Sequence, residues 1–283
     1  MPKILVTGGL GFIGSHLVEA LLTNPENEVS VIDNMCSDSS GPYYKKGVRY
    51  SVDDVRNINK PETSAGVDIV FHLAALARIQ PSFDNPREYF SINATGTAEV
   101  LEYARRSNAK VIYAGSSSAY GGPKLNPYSF AKYTGEQLCE MYSSVYGLST
   151  VIARFFNVYG KRQPTTGPYA TVVGVFEKQT ARNEFLTITG DGNQRRDFTH
   201  VSDIVRGFIS LSQTEWNGEI FNLGTGINYS INELAAMFGG TKKYIPRRPG
   251  EAQNTLADIS KTAKETGWIP EINLKDYVRE AKQ

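Results

Sequence analysis

Residues 3 to 23 read KILVTGGLGFIGSHLVEALLT. KILVT is short, apolar and β-branched, the pattern of a buried strand, and SHLVEALLT spaces its apolar residues as one face of a helix. Between them, GGLGFIG puts Gly8, Gly11 and Gly14 at Gly-x-x-Gly-x-x-Gly spacing. Such spacing lets the backbone turn tightly, approach a pyrophosphate, and pack the helix against the strand. A second strand, EVSVID, ends at Asp33, nineteen residues beyond Gly14. There a carboxylate accepts hydrogen bonds from an adenosine ribose and repels a 2′-phosphate, which favours NAD over NADP. A glycine-rich turn alone is weak evidence. Strand, glycines, helix and acidic strand end together point to a dinucleotide site.

The alternation continues outward: VRYSV ending at Asp53 and Asp54, DIVFHLAA at 68–75, a long helix across Pro86 to Ser107, and KVIYAGSS at 110–117. Strands separated by helical patterns predict an α/β fold with a doubly wound parallel (Rossmann) sheet. Ligands of such sheets collect at the carboxyl ends of the strands, where Asp33, Asp54, Ala74, Ala75 and Ser116 to Ser118 fall. After a helix ending near Tyr146 comes the strand STVIARFF. From about Gly160 the pattern is less regular, with short strands FLTI and EIFNL and helices SDIVRGFISLSQ, INELAAMF and ISKTAKET. We expect an NAD-binding domain over 1–160 and a smaller C-terminal substrate lobe over 161–283, interleaved with the sheet rather than separable.

The chemistry centres on PYSFAKYTGEQ, which begins at Pro127. Tyr128 and Lys132 lie four residues apart at a helix start, hence on one face. A phenol titrates near pH 10 and is a poor base near neutrality unless a cation stands beside it. Lysine one turn on is such a cation, and the pair suits proton abstraction from a hydroxyl. A bare Tyr-x-x-x-Lys more often marks an ordinary amphipathic helix, so its surroundings must decide. A serine among 116 to 118 stands where it can reach the same substrate oxygen, or simply satisfy a strand end. Arg196 and Arg248 sit in arginine-rich turns whose guanidinium forks suit a second diphosphate, with solvated surface arginines as the alternative.

Composition narrows the partners. The 283 residues include 40% apolar and 21% charged side chains, with a net charge of +1. No basic stripe calls for nucleic acid and no polybasic arm for a membrane surface. The start of the chain has no leader pattern, and nowhere is there an apolar run of about 18 residues. A cytoplasmic location is expected. Cys36, Cys139 and three histidines fall in no metal-ligand pattern.

The chain resembles the extended short-chain dehydrogenase/reductase superfamily, and within it the NAD-dependent nucleotide-sugar epimerases and dehydratases, most of all the UDP-glucose and UDP-N-acetylglucosamine 4-epimerases. The resemblance runs through TGGLGFIGSHL (7–17), IDN (32–34), DDVRN (53–57), FHLAA (71–75), NATGT (93–97), SSSAYG (116–121), PYSFAK (127–132), RFFNVYG (154–160), GDGNQRRDFTHVSDI (190–204), FNLGTG (221–226) and RPGEAQNTLADISK (248–261). It implies NAD contacts from Gly8, Gly11, Phe12, Ile13, Asp33, Asn34, Asp54, Val55, Leu73, Ala74, Ala75, Asn93, Tyr128 and Lys132. It implies that Asn157, Arg196, Arg248 and Glu251 hold the nucleotide diphosphate and ribose. Ser116 is the expected catalytic serine, because the family places it four residues before the tyrosine of the Tyr-Gly pair, here Tyr120 and Gly121. Ser117 is its rival and a candidate substrate contact.

By the same resemblance, a 4,6-dehydratase carries Asp-Glu at the two positions after that serine, where this chain has Ser117 and Ser118. An ordinary hydroxyl cannot supply the extra acid and base, so a 4-epimerase is expected. SSSAYG resembles the branch acting on N-acetylated UDP-hexoses, and Thr255 aligns with a gate that is bulky in galactose-specific relatives. A uronate decarboxylase or 4-ketoreductase is the rival within the family, and a catalytically silent NAD-binding regulator the rival outside it. The resemblance further implies a homodimer through the helices at 86–107 and 128–146. Between Tyr120 and Tyr128 stands only GGPKLNP, shorter than in most of these epimerases, which predicts a more open sugar pocket.

Overall fold

The computed structural model describes residues 1–36, 42–60 and 66–282. The first half runs β1 (Lys3–Thr7), α1 (Phe12–Leu21), β2 (Glu28–Ile32), β3 (Arg49–Ser51), β4 (Ile69–His72), α2 (Gln80–Asp84), α3 (Pro86–Phe90), α4 (Gly96–Ser107), β5 (Lys110–Ser116), α5 (Pro127–Tyr146) and β6 (Thr150–Phe155). These strands lie parallel in a seven-stranded sheet of order β11-β6-β5-β4-β1-β2-β3, whose last member, β11 (Asn217–Leu223), arrives much later in the chain. The strands are apolar on both faces because both are covered. Ile4 and Val6 of β1 join Leu17 and Val18 of α1 in one core, while Leu5 joins Val100 and Leu101 of α4 in the other. Chain order reverses at β1, which pairs with β2 on one side and β4 on the other. The carboxyl edge there is the expected place for a ligand crevice.

The remaining elements are β7 (Val158–Tyr159), α6 (Val172–Ala181), β8 (Leu186–Thr189), β9 (Arg195–Asp197), β10 (Thr199–His200), α7 (Val201–Leu211), β12 (Asn228–Ser230), α8 (Ile231–Phe238), β13 (Lys242–Ile245), α9 (Ser260–Thr266) and α10 (Leu274–Ala281). Phe176, Leu186, Ile188, Leu234, Phe238 and Val278 form a separate small core for the second lobe. EIFNL is not a lobe strand: it pairs with β6 in the central sheet, and Ile204, Val205 and Phe208 of α7 pack beside α1 on the sheet's first face.

The helix read across 86–107 is continuous but irregular. Ser91–Thr95 forms a π turn between α3 and α4, a distortion that re-aims side chains. It carries Asn93 inward, 1% exposed, where Oδ1 accepts from Leu76 N at 2.8 Å and Nδ2 donates to Leu76 O at 2.9 Å. α5 begins cleanly because Pro127 suits the first turn and Asn126 caps it, accepting from Ser129 N at 2.7 Å. No helix among the described residues is long and apolar enough to cross a membrane.

Candidate active site

A cleft of ≈ 500 Å³ opens at the carboxyl edge of the sheet, between it and the second lobe. One end is the glycine turn. Gly8 has φ +72°, and a Cβ there would stand 2.8 Å from Ala74 N. A Cβ on Gly14 would stand 2.1 Å from Gly8 O, so only glycine lets the helix close on the turn. Gly11 caps α1 without any side-chain hydrogen bond, leaving the first amides of the helix facing the cleft beside Phe12 and Ile13. Uncapped amides with the positive end of the helix dipole suit a pyrophosphate. Asp33 is 9% exposed; Oδ2 accepts from Leu10 N at 2.9 Å and Oδ1 from Met35 N at 2.8 Å. Each oxygen keeps a lone pair for a ribose hydroxyl. The cradle therefore fits a dinucleotide.

Asn34, Val55, Leu73, Ala74 and Ala75 line this half of the cleft. Two further expected contacts already hold protein partners. Asp54 is taken up by Arg56, whose Nε and Nη2 donate to its oxygens at 2.8 and 2.9 Å, and by Asn34 Nδ2 at 3.0 Å. The Arg56 bond holds its carboxyl low, at about 2. Asn93 spends its amide on Leu76, so it shapes the loop that follows β4 rather than facing the cleft. A further hidden support is His72, 1% exposed. Thr97 Oγ1 donates to Asn93 O and accepts from His72 Nε2 at 3.0 Å, leaving Nδ1 to take the Thr7 hydroxyl at 2.7 Å. Burial pushes this imidazole down to about 3, so it is neutral.

In the centre of the cleft, the Tyr128 hydroxyl donates to Ser116 Oγ at 3.3 Å, and Ser118 N donates to the same oxygen at 3.2 Å. The Ser116 proton is thereby left for a third partner. Lys132, 5% exposed, holds its ammonium 4.2 Å from the centre of the Tyr113 ring. Burial lowers it to about 8, and the Glu136 carboxylate resists that fall. Burial raises the phenol, while the Ser116 bond and the positive charge of Arg78 act to lower it. Ser116 itself is fixed from behind: Glu136 Oε1 accepts from Ser116 N at 3.4 Å, and Arg154 Nη2 donates to Glu136 Oε2 at 2.7 Å.

The second lobe supplies the far wall. Arg196 is paired with Glu251 at 3.6 Å, and Arg248 is exposed at the rim. Asn157 Nδ2 donates to Asp197 O at 2.9 Å and to Thr255 Oγ1 at 3.4 Å, and Thr255 is 6% exposed. Beneath them the fully buried Asp197 carboxylate accepts from the amides of Thr225, Gly226 and Ala257, tying two turns together. The short GGPKLNP segment does not leave that side open. Asn126 Nδ2 donates to Gly250 O at 2.9 Å, and a Cβ on Gly121 would stand 2.5 Å from Ala252 Cβ. The lobe's turn at 250–252 thus packs directly on the shortened segment. Ser117 lines the cleft as expected. Arg78 and Tyr169, which also line it, were not among the expected residues. Their signal was a lone charge in the apolar run AALARI and an aromatic residue after Pro168. Among the described residues no group of His, Cys, Asp and Glu side chains is placed to hold a metal ion.

A Rossmann sheet with a nucleotide cradle beside a Ser-Tyr-Lys cluster defines a dinucleotide-dependent enzyme of the extended short-chain type. The chain belongs to the NAD dependent epimerase/dehydratase family, which it matches over residues 4–224. It is 36% identical to a putative UDP-glucose 4-epimerase of Methanocaldococcus jannaschii, over 98% of this chain and 96% of that protein. The UDP-glucose 4-epimerase of Thermotoga maritima, solved with UDP-glucose, superposes with a TM-score of 0.92 at 30% identity, covering 99% of this chain and 97% of that one. The UDP-glucuronic acid 4-epimerase of Bacillus cereus, solved with UDP-glucuronic acid and NAD, gives 0.90 at 32% identity, with 99% and 97% coverage. Relatives at similar identity include UDP-glucuronic acid decarboxylases. The protein is an enzyme of this nucleotide-sugar family and uses NAD.

Proposed function

We propose that this enzyme interconverts the 4-epimers of a UDP-linked sugar through a transient 4-keto sugar. The observation that carries the reading is the Tyr128 hydroxyl on Ser116 Oγ at 3.3 Å beside buried Lys132, with only hydroxyls at 117 and 118. Tyr128, ionised, takes the proton from the sugar 4-hydroxyl. Ser116, whose oxygen accepts from Ser118 N and faces Tyr128, turns its own proton to that sugar oxygen and orients it. NAD, when bound, takes up the hydride from C4 and later returns it. Arg196 and Arg248 hold the diphosphate, leaving the keto sugar free to turn and present its other face. Binding strength placed on the phosphates rather than the ring permits that turn.

Thr255, small and buried, supports acceptance of a C2 acetamido group, a preference of about 1 to 3 kcal/mol at one wall position. Exposed Phe90, Phe130, Met141 and Val145 on α3 and α5 support pairing of two copies through these helices. The test is ¹H NMR of UDP-N-acetylglucosamine and UDP-glucose incubated with enzyme and no added reductant. The 4-epimer is expected; a 4-keto-6-deoxy sugar or a pentose identifies a dehydratase or decarboxylase instead. No turnover on a broad nucleotide-sugar panel marks a silent NAD-binding regulator. Tyr128→Phe should cost at least about 10²-fold in rate while retaining NAD, and an active variant removes Tyr128 from its role.

A further inference from the structure

We propose that Arg78 is the receptor for a carboxylate on the sugar, so that the preferred substrate is a nucleotide-linked hexuronate; this rests on the epimerase reading for where the sugar lies. Arg78 stands in the loop after β4 with φ 99°, a backbone conformation that side chains other than glycine rarely adopt. Strain of this kind, about 1 to 3 kcal/mol, persists where the surroundings hold a residue for a purpose. What it achieves here is a guanidinium on the cleft wall, fixed by Nε donating to Tyr169 O at 2.9 Å.

Among the described residues the charge has no counter-ion. Arg56, Arg154, Arg162 and Arg196 each face a carboxylate, at 2.8, 2.7, 2.6 and 3.6 Å. Among the described residues no acid lies within ion-pair reach of Arg78; the ionisable groups that feel its charge are the phenols of Tyr128 and Tyr89. A half-buried guanidinium without an anion is costly, and its planar fork matches a carboxylate.

The location selects which anion. The cofactor's pyrophosphate belongs at the Gly8–Gly14 turn, and the substrate diphosphate at Arg196 and Arg248. Arg78 accompanies Tyr128: Tyr169, whose carbonyl holds it, packs with Tyr128 against Leu76, Tyr89 and Ile92. A base working at the 4-hydroxyl stands beside C3 and C5 alike, and of these C5 bears the carbon that a hexuronate oxidises to a carboxylate, so a uronate brings an anion into this part of the cleft. Ser118 Oγ, buried and without a hydrogen-bond partner, lines the same cleft and offers a further donor for that group. A neutral hydroxymethyl group can accept a hydrogen bond but leaves the guanidinium without a counter-charge, and a site built to bind a particular polar group discriminates against an analogue lacking it. The C2 question at Thr255 concerns a different carbon.

The test measures kcat/KM of the NAD-loaded enzyme on UDP-glucuronate, UDP-glucose and UDP-N-acetylglucosamine, for the native chain, Arg78→Ala and Arg78→Lys. The native ratio of uronate to glucose should lie well above one. In Arg78→Ala it should fall about 10- to 150-fold, the loss carried by a charge-assisted hydrogen bond, chiefly through KM. Arg78→Lys should recover part of it, and serves alone if the alanine variant does not fold. Native preference for the neutral sugars, or a ratio unmoved by either substitution, overturns the proposal. Arg78-dependent consumption of the uronate to a pentose keeps the carboxylate receptor and refutes the epimerase reading. Epimerisation of neutral sugars with the uronate ignored does the reverse. Should no sugar turn over, thermal shifts of the holoenzyme decide: stabilisation by UDP-glucuronate beyond UDP-glucose, lost in the variants, supports the receptor, and equal shifts refute it.

Discussion

Removing the Glu136 carboxylate, as in Glu136→Ala, should be among the most damaging single changes outside the catalytic cluster. Glu136 is 0% exposed on α5, one turn beyond Lys132. Arg154 Nε lies 3.1 Å from both its oxygens and Nη2 2.7 Å from one, and the arginine side chain is only 12% exposed. The same carboxylate receives Ser116 N at 3.4 Å. Truncation strands a desolvated guanidinium and frees the backbone of Ser116. Breaking a buried pair by removing one partner costs about 3 to 5 kcal/mol, out of the roughly 5 to 15 that a folded domain has. The assay is urea unfolding followed by far-UV circular dichroism at one fixed NAD concentration, because bound cofactor itself adds stability. Replacing both partners, Glu136→Met with Arg154→Met, should cost far less than the sum of the single changes, since no buried charge remains. A loss under about 1 kcal/mol in Glu136→Ala, or additive single effects, would refute the claim that this pair is desolvated and coupled. Glu136→Gln also withdraws the charge that keeps Lys132 protonated against burial, so the alkaline limb of kcat/KM should move to lower pH.

Two other expectations concern the hidden supports. His72 is pushed down to about 3 in the fold, so the unfolded chain takes up its proton first as pH falls. Its contribution to stability is whole above pH 6.5 and lost between there and about 3, at roughly 1.4 kcal/mol per pH unit; His72→Gln should flatten that slope in acid denaturation, and an unchanged slope assigns acid sensitivity elsewhere. Asn93→Ala leaves both backbone groups of buried Leu76 unpaired, at about 1 to 3 kcal/mol each. It should weaken NAD retention on gel filtration, because the loop it clamps adjoins Ala74 and Ala75; full NAD occupancy would contradict a positioning role.

Much of the site was legible because its signals are local. Gly8, Gly11 and Gly14 specify a turn by spacing alone, and Asp33 marks the end of the next strand. Tyr128 and Lys132 share a helix face through periodicity, whatever the rest of the chain does. The C-terminal half was harder for a physical reason: EIFNL reads as a strand, but its partner β6 lies more than sixty residues earlier, and no periodic pattern reports that pairing. VVGVFEKQTA, with its Val-rich start and internal Gly174, gives a weak helical signal, yet α6 forms because Phe176 and Val173 find the second core.

The amino-acid order by itself therefore determined the fold class, the glycine turn and the shared face of Tyr128 and Lys132, since each is written within one turn or one strand-turn-helix unit. Only the tertiary structure decided what surrounds them. Arg78 meets Tyr169 across ninety-one positions, Asn126 meets Gly250 across one hundred and twenty-four, and Glu136 meets Arg154 between a helix and a strand. Those encounters set which charges lie unpaired, and they depend on how the sheet is wound and how the second lobe closes over it. Local spacing carries no record of either.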